Sequence, residues 1–313
     1  MADHGVPLIR GRRRARAGNE AGWLWPAFAI PGLLWLTLLF LVPFYGIIAV
    51  AMGQVDPLFG LAQPIWNPLQ WDPTTFLQVV RDLTGGRLGI IFLRTVGYVV
   101  SATVLCILIG YPVAYFIAKR AGRWKVSLLV LLILPFWINY IMRMLAWNNL
   151  LATDGLVNRV LLGLGIVGQP QPWLSGRSST VILGLVYGYI PYFILPLFAA
   201  LDRIGEDMLE AARDLGASPF WTFLRVTLPL SRQGILAGTV LIMLPMFGDY
   251  YTPNLLSGSP RTRMIGNEID SFINSGTGGT QGAGLTIILM AFVGLLMTYY
   301  MVSIARETRR AER

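Results

Sequence analysis

Glu206-Asp207-Met208-Leu209-Glu210-Ala211-Ala212-Arg213-Asp214-Leu215-Gly216-Ala217-Ser218-Pro219 lies between two long apolar runs, near 179–201 and 234–256. Its punctuation writes two short helices, not a slack connector. Glu206 and Asp207 fall in the first turn of one helix, where the macrodipole favours acids. Gly216 suits the left-handed position that ends it. Ser218 followed by Pro219 is an N-cap and a first-turn proline that start the second helix, and Pro229 is expected to end it. Met208, Leu209, Ala212 and Leu215 make one apolar stripe; Phe220, Phe223, Leu224 and Thr227 make another. A hairpin of this kind over 202–232 either packs on its own bundle or docks a partner, and a stiff protrusion of mixed surface is better explained by docking.

Outward from this loop the chain is dominated by apolar runs, near 27–50, 88–118, 127–150, 179–201, 234–256 and 283–305. Each is long enough to cross a bilayer as a helix of ~20 residues. In hydrocarbon every backbone polar group must be satisfied internally, so helices are the form these runs take. The composition agrees: of 313 residues 55% are hydrophobic and only 13% charged, against about 25% charged in soluble domains. The expected fold is therefore all-α and integral to the membrane, with six transmembrane helices in one domain over 27–305. A basic tail (1–26) and a short tail (306–313) flank it.

A net charge of +9 raises the question of nucleic acid, and its distribution answers it. With the N-terminus inside, the inner segments hold 5 basic residues before the first span and then 4, 4 and 4, while the outer segments hold 2 each. That asymmetry places both termini in the cytoplasm. The run Arg12-Arg13-Arg14-Ala15-Arg16 reads as an orientation signal beside anionic lipid, so no nucleic-acid partner is expected. The first span is too long for a secretory signal and no small-residue cleavage site follows it, so an uncleaved helix is expected. Cys106, the single cysteine, reads as a packing residue. Outside the bilayer, 54–87 reads as an ordered lobe with a short surface helix over Thr74–Asp82. Asp154 is expected to cap another short helix up to Gly165, and the glycine-rich Ser275–Gly284 reads as a mobile loop. Pro43, Pro112, Pro135, Pro191, Pro196 and Pro245 fall inside spans, as shape or as hinges.

Glu210-Ala211-Ala212, three residues, Gly216, nine residues and Val226-Thr227-Leu228-Pro229 resemble the E-A-A-x3-G-x9-I-x-L-P signature of binding-protein-dependent ABC importer permeases of the MetI-like fold. Val226 in place of isoleucine is the one departure. The resemblance implies that the loop is a coupling helix fitting a groove on an ATP-binding subunit. Glu210 would make the polar contact, Gly216 the turn, and Ala211, Ala212, Ser218, Pro219, Leu228 and Pro229 the rest of the docking element. ATP and Mg would sit on that partner, with no cofactor on this chain. A phosphate loop needs Gly-Lys-Ser/Thr, whereas the two lysines, Lys119 and Lys125, follow Ala118 and Trp124, so the ATPase must act in trans.

The resemblance extends over roughly 90–300. Pro135-Phe136-Trp137-Ile138-Asn139-Tyr140 with Arg143, and Gly248-Asp249-Tyr250-Tyr251-Thr252-Pro253-Asn254, are similar to the spermidine/putrescine branch. Leu145 stands where that branch usually has an aromatic residue. The branch implies a second, related permease as heterodimer partner, two ATPase copies and an extracytoplasmic solute-binding protein, in a bacterial inner membrane. The implied cargo is a small polar solute, a polyamine first, with opines or aminophosphonates as alternatives. A charge near the bilayer centre costs ~2.5–3.5 kcal/mol, so Asp249 and Arg143 each need a reason; at ~1.5 Å per residue both lie about 22–24 Å from the cytoplasmic end. They could pair and close an outer gate, or Asp249 with Trp137, Asn139, Tyr140, Tyr250 and Tyr251 could receive an amine, or both could be structural. An ion-coupled carrier would usually need more intramembrane acids and spans. An enzyme built on histidine or a metal lacks the residues, since His4 is the only histidine.

Overall fold

The computed structural model describes residues 24–56 and 58–311, with side chains over 28–56 and 58–303. His4, the run Arg12-Arg13-Arg14-Ala15-Arg16 and the side chains of 306–313 lie outside the described residues. The chain divides into two compact units, Met1–Gly46 and Ile47–Arg313. The first holds α1 (Leu24–Leu36), a π turn (Thr37–Leu41) and the start of α2 (Val42–Ala51). Its leucines and aromatic rings are largely exposed, as a helix immersed in lipid presents them. Thr37 returns its hydroxyl to the Leu33 carbonyl at 2.8 Å, which leaves no side-chain donor unpaired there.

The second unit runs through a hairpin, β1 (Gln54–Val55) paired antiparallel with β2 (Ala62–Gln63), then α3 (Thr74–Gly85), α4 (Arg87–Lys119), α5 (Lys125–Ile133), α6 (Tyr140–Leu151), α7 (Leu156–Gly163) and α8 (Ser178–Asp202). It continues through α9 (Glu206–Asp214), α10 (Pro219–Thr222), α11 (Leu228–Leu230), α12 (Arg232–Phe247), α13 (Tyr251–Leu256), α14 (Ile265–Asn274) and α15 (Gly279–Ala311). Among the described residues four helices are long and apolar enough to cross a membrane unbroken, Phe28–Ala51, Arg87–Lys119, Ser178–Asp202 and Gly279–Ser303. Two bent helix pairs are apolar enough to make up to two more, as broken spans or re-entrant loops: Gly122–Trp137 with Tyr140–Gly163 at 88°, and Pro219–Leu230 with Arg232–Phe247 at 59°.

Two of the expected continuous spans are therefore corrected. The run 127–150 breaks because Pro135 has no N–H to donate and the chain tightens into a 3-10 turn over Leu134–Trp137. Ile138 is then extended, and the Asn139 side chain restarts the helix by accepting from the Ile141 amide at 2.9 Å. The run 234–256 stops at Phe247 and resumes at Tyr251, with Asp249 in the gap. Asn267 braces that gap by donating its amide to the Tyr250 carbonyl at 2.9 Å, which also accepts the Asn254 amide at 3.3 Å. Pro229 stands one residue before the end of its helix, which runs from Pro219 through a π turn over Phe223–Thr227 to Leu230 and bends at Ser231.

Helix α8 packs along α4 and α12. Ala102, Cys106 and Ala114 of α4 face the larger Leu185, Phe193 and Leu197 of α8, the small-against-large arrangement that lets membrane helices approach. A second cluster, Val79, Leu88, Ile91, Ile265 and Leu285, joins α3, α4, α14 and α15 at the end away from the 202–232 loop. There the buried Glu268 carboxylate receives Arg87 at 3.0 Å and Arg263 at 3.5 Å. In the hairpin turn Asp56 accepts the Leu58 and Phe59 amides at 2.8 and 3.1 Å. Those amides, Leu58 foremost, hold its carboxyl below the usual range. The surface helix expected over Thr74–Asp82 forms and runs on to Gly85. Asp154 does not cap α7; Gly155 takes that position, and the buried Asn158 ties the segment down through Gln171 and Trp173. The loop expected over Ser275–Gly284 is shorter, because α15 already begins at Gly279.

Candidate functional site

Two regions gather the residues singled out by the sequence. The first is the 202–232 loop. Helix α9 ends at Asp214 with Leu215 as its C-cap, and Gly216 takes φ +86°, a left-handed turn that glycine adopts without a Cβ penalty. Ser218 starts α10 by accepting the Trp221 amide, with Pro219 at the first helical position. The two apolar stripes then divide. Leu209, Phe223 and Thr227 turn inward, and the Phe223 ring stands edge-on to Tyr111 at 5.6 Å and to Tyr115 at 6.0 Å. Met208, Leu215 and Phe220 remain exposed, Leu215 at 90% and Phe220 at 67%. Glu210 and Ala211 are exposed beside them, Ala212 and Leu228 are half-buried, and Pro229 is exposed. Leu215, Gly216, Ser218 and Trp221 line a cleft of about 550 Å³. The loop is thus anchored by its inner residues while a row of exposed apolar side chains projects from it, an arrangement characteristic of interaction surfaces.

The base of the loop is tied to α4 and α5. Lys119 donates to the Ile204 carbonyl and Lys125 pairs with Asp202. At the 59° bend the Tyr111 hydroxyl meets Ser231 Oγ at 2.9 Å. From that bend α12 runs unbroken to Phe247.

The second region lies where the two broken spans meet. Asp249, 6% exposed, accepts four hydrogen bonds. They come from the Thr252 amide at 3.0 Å, the Thr252 hydroxyl at 2.6 Å, Tyr140 at 2.9 Å and Tyr189 at 3.3 Å. None of these donors carries a charge. Arg143, 7% exposed, does not pair with Asp249; its guanidinium lies over Phe136 at 4.2 Å, Tyr140 at 5.3 Å and Tyr187 at 6.0 Å. The ion pair considered from the sequence is therefore absent here, because each charge has its own surroundings. Both charges, with Tyr189, Tyr192, Tyr250 and Tyr251, line a cavity of about 580 Å³.

Of the expected pathway residues, Tyr140, Arg143, Asp249, Tyr250 and Tyr251 meet at this cavity. Trp137 is 83% exposed and Asn139 is spent on capping α6, so neither lines it. Tyr189, Thr252 and Gly188 were missed. A Cβ on Gly188 would lie 2.9 Å from the Tyr140 ring, so a glycine here is what admits that ring. Small and aromatic residues alternating in a proline-bearing span carried no sign that they faced Asp249.

Residues 19–306 match the family described as binding-protein-dependent transport system inner membrane component. The chain belongs to that family. This permease is 38% identical over 211 residues to the spermidine/putrescine transport system permease protein PotB of Escherichia coli (strain K12), covering 67% of this chain and 76% of that one. Its similarity to the PotB of Haemophilus influenzae is 39% over 199 residues, 64% of this chain and 69% of that one. The inner membrane ABC transporter permease protein YdcU of Escherichia coli (strain K12) is 29% identical across 93% of this chain and 96% of its own length. Among solved structures, a chain of a bacterial alginate ABC transporter in complex with an alginate pentasaccharide-bound periplasmic protein superposes with a TM-score of 0.71 at 15% identity, over 90% of this chain and 93% of that chain. At that identity the match speaks for the fold alone. The permease is an ABC importer's transport subunit, a multi-pass protein of the bacterial inner membrane.

Proposed function

We propose that this permease forms half of the translocation pathway of an ATP-driven importer for a small solute carrying a protonated amine. The spermidine/putrescine names of its relatives make polyamines the first amines to test. A second related permease completes the pathway, two ABC ATPase copies drive it, and an extracytoplasmic binding protein delivers the cargo. Counting each bent pair as one span gives six, which with the basic-residue asymmetry supports a topology with both termini and the 202–232 loop on the cytoplasmic side.

The observation that carries the cargo reading is the setting of Asp249. Four neutral donors orient its carboxylate but bring no positive charge, and no basic side chain pairs with it among the described residues. Tyrosine faces wall the adjoining cavity. An ammonium would supply the missing charge and rest on those faces, where cation–π contact adds about 0.5–2 kcal/mol.

The coupling reading follows from the loop. Exposed Met208, Leu215 and Phe220 beside Glu210 offer an apolar fit with a polar contact for the ATPase. Movement of that loop passes to α12, whose 16 residues at 1.5 Å each make a rod of about 24 Å. Asp249 lies two residues beyond its far end. ATP-driven closure of the partner ATPases would thereby reach the cavity.

The test is to purify the complex with its operon partners and measure ATPase activity with loaded binding protein, alongside Glu210→Ala and Gly216→Pro. Stimulation in wild type, lost in both variants although the complex assembles, supports the reading. Transport that continues without an ATPase, or unchanged stimulation in both variants, sinks it.

A further inference from the structure

Among the described residues, Arg143 is the one buried side chain of the cavity left without a hydrogen bond. Its Nε and Nη1 are buried and unpartnered, while the guanidinium is held only by ring faces, that of Phe136 at 4.2 Å and that of Tyr140 at 5.3 Å. Ring faces stabilise the charge but satisfy none of its five N–H donors. Buried donors left open are rare, because each loses its water without replacement.

Tyr140 also keeps the two charges apart. Its ring lies against Arg143 while its hydroxyl donates to Asp249 at 2.9 Å. A carboxylate held by neutral donors and a guanidinium whose Nε and Nη1 are unused therefore border one cavity, one tyrosine ring apart. A plain polyamine answers only half of this arrangement, since every protonated nitrogen is a donor and repels Arg143. A solute with an ammonium at one end and an acceptor at the other answers both halves.

We infer that Arg143 makes this cavity select an amine that also bears a hydrogen-bond acceptor, a carboxylate or carboxamide, over a plain polyamine. Asp249 takes the ammonium, which rests on the amine reading above; Arg143 takes the acceptor by a charge-assisted hydrogen bond from its guanidinium.

The assembled importer in nanodiscs, without its binding protein so that only the membrane site is read, is titrated with three four-carbon probes. They are 1,4-diaminobutane, 4-aminobutanamide and 4-aminobutanoate, with butanamide as an amine-free control. The amide and the carboxylate are expected to bind about tenfold or more tighter than the diamine, the scale of a hydrogen bond to a charged group. Arg143→Met brings the three within about threefold of one another. Arg143→Gln, which keeps a neutral donor, retains the preference for the amide and loses that for the carboxylate. A diamine that binds wild type as tightly as the other probes, a ratio unchanged in Arg143→Met, or no saturable binding overturns the proposal; the first is also the result expected if the partner permease satisfies Arg143. The amine reading is judged separately. Butanamide binding as tightly as 4-aminobutanamide, or Asp249→Asn without effect on any amine, refutes that reading while the Arg143 arms remain legible.

Discussion

Gly188→Ala tests the site at its tightest point. The added Cβ would lie 2.9 Å from Tyr140 Cε2 and 3.0 Å from its hydroxyl oxygen, where ordinary contact begins near 3.4 Å. The ring must retreat by roughly half an ångström. It is flanked by Tyr189 at 6.3 Å and by the Arg143 guanidinium at 5.3 Å, so the give comes from its 2.9 Å hydrogen bond to Asp249. A hydrogen bond to a charged group is worth about 1.5–3 kcal/mol, and the new methyl returns at most about 0.8 kcal/mol of burial. The net loss is about 1–2 kcal/mol, a fall of roughly 2–6 °C in the unfolding midpoint of the purified permease. Tyr140→Phe removes the same hydrogen bond without touching Gly188. In the double variant the bond can be lost only once, so the two costs should fall short of their sum by about 1 kcal/mol or more. Strict additivity, or a Gly188→Ala protein as stable as wild type, would refute this account of how Tyr140 is held.

At Gly216 the reverse case holds: a Cβ there meets nothing, so the cost is purely conformational. Gly216→Ala should disfavour the loop by about 1–2 kcal/mol and Gly216→Asn by less, read as loss of binding-protein-stimulated ATPase activity; the opposite ranking would show that φ is not the cause. Leu215→Ser with Phe220→Ser should leave the midpoint of the permease within about 0.5 kcal/mol of wild type yet release the ATPase during purification, because both side chains project from the fold. Asp56 has its carboxyl lowered by the Leu58 and Phe59 amides. It therefore stabilises the hairpin turn above its ordinary value of 3.8, and that contribution is lost as pH falls through the depressed value. Proteolysis of the 54–63 hairpin should stay constant down to about pH 4 and quicken only below, whereas Asp56→Asn should be nicked faster at neutral pH.

The loop was legible because its signals are local. The acids at the start of α9, the glycine at its end and the Ser218-Pro219 pair each act within one turn, and each appears where its residue type demands. The spans were legible as apolar runs but not as straight or broken. Pro135 breaks its helix, whereas Pro112, Pro191 and Pro196 sit inside unbroken ones. A break is tolerated where another residue can mend it: Asn139 caps the restarted helix after Pro135, and Asn267, distant in sequence, braces the gap at Tyr250. Pairing of Arg143 with Asp249 was a reasonable expectation from opposite charges at similar depth. It fails because three aromatic rings from two segments reach the guanidinium first. Such encirclement is a tertiary property with no periodicity to reveal it.

The placement of the breaks explains why one helix can serve both ends of the molecule. A movement imposed on the loop would dissipate if α12 were interrupted along its length, but its interruptions are the 59° bend at Ser231 and the gap at Gly248–Tyr250. Tyr111 holds the first through Ser231 Oγ, and Phe223 packs on the same tyrosine. Loop and bend therefore share one support on α4. At the second, Asp249 receives donors from α6, α8 and α13, so a shift of the α12 terminus changes its distance to Tyr140, Tyr189 and Thr252 together. Pulling Asp249 away from the two tyrosines would expose its carboxylate on the side of the cavity; returning it would offer their hydroxyls in place of a bound ammonium. On the proposed function, the hydrogen bonds that hold this site in shape would compete with an ammonium, so a rod moved from one end would weaken binding at the other.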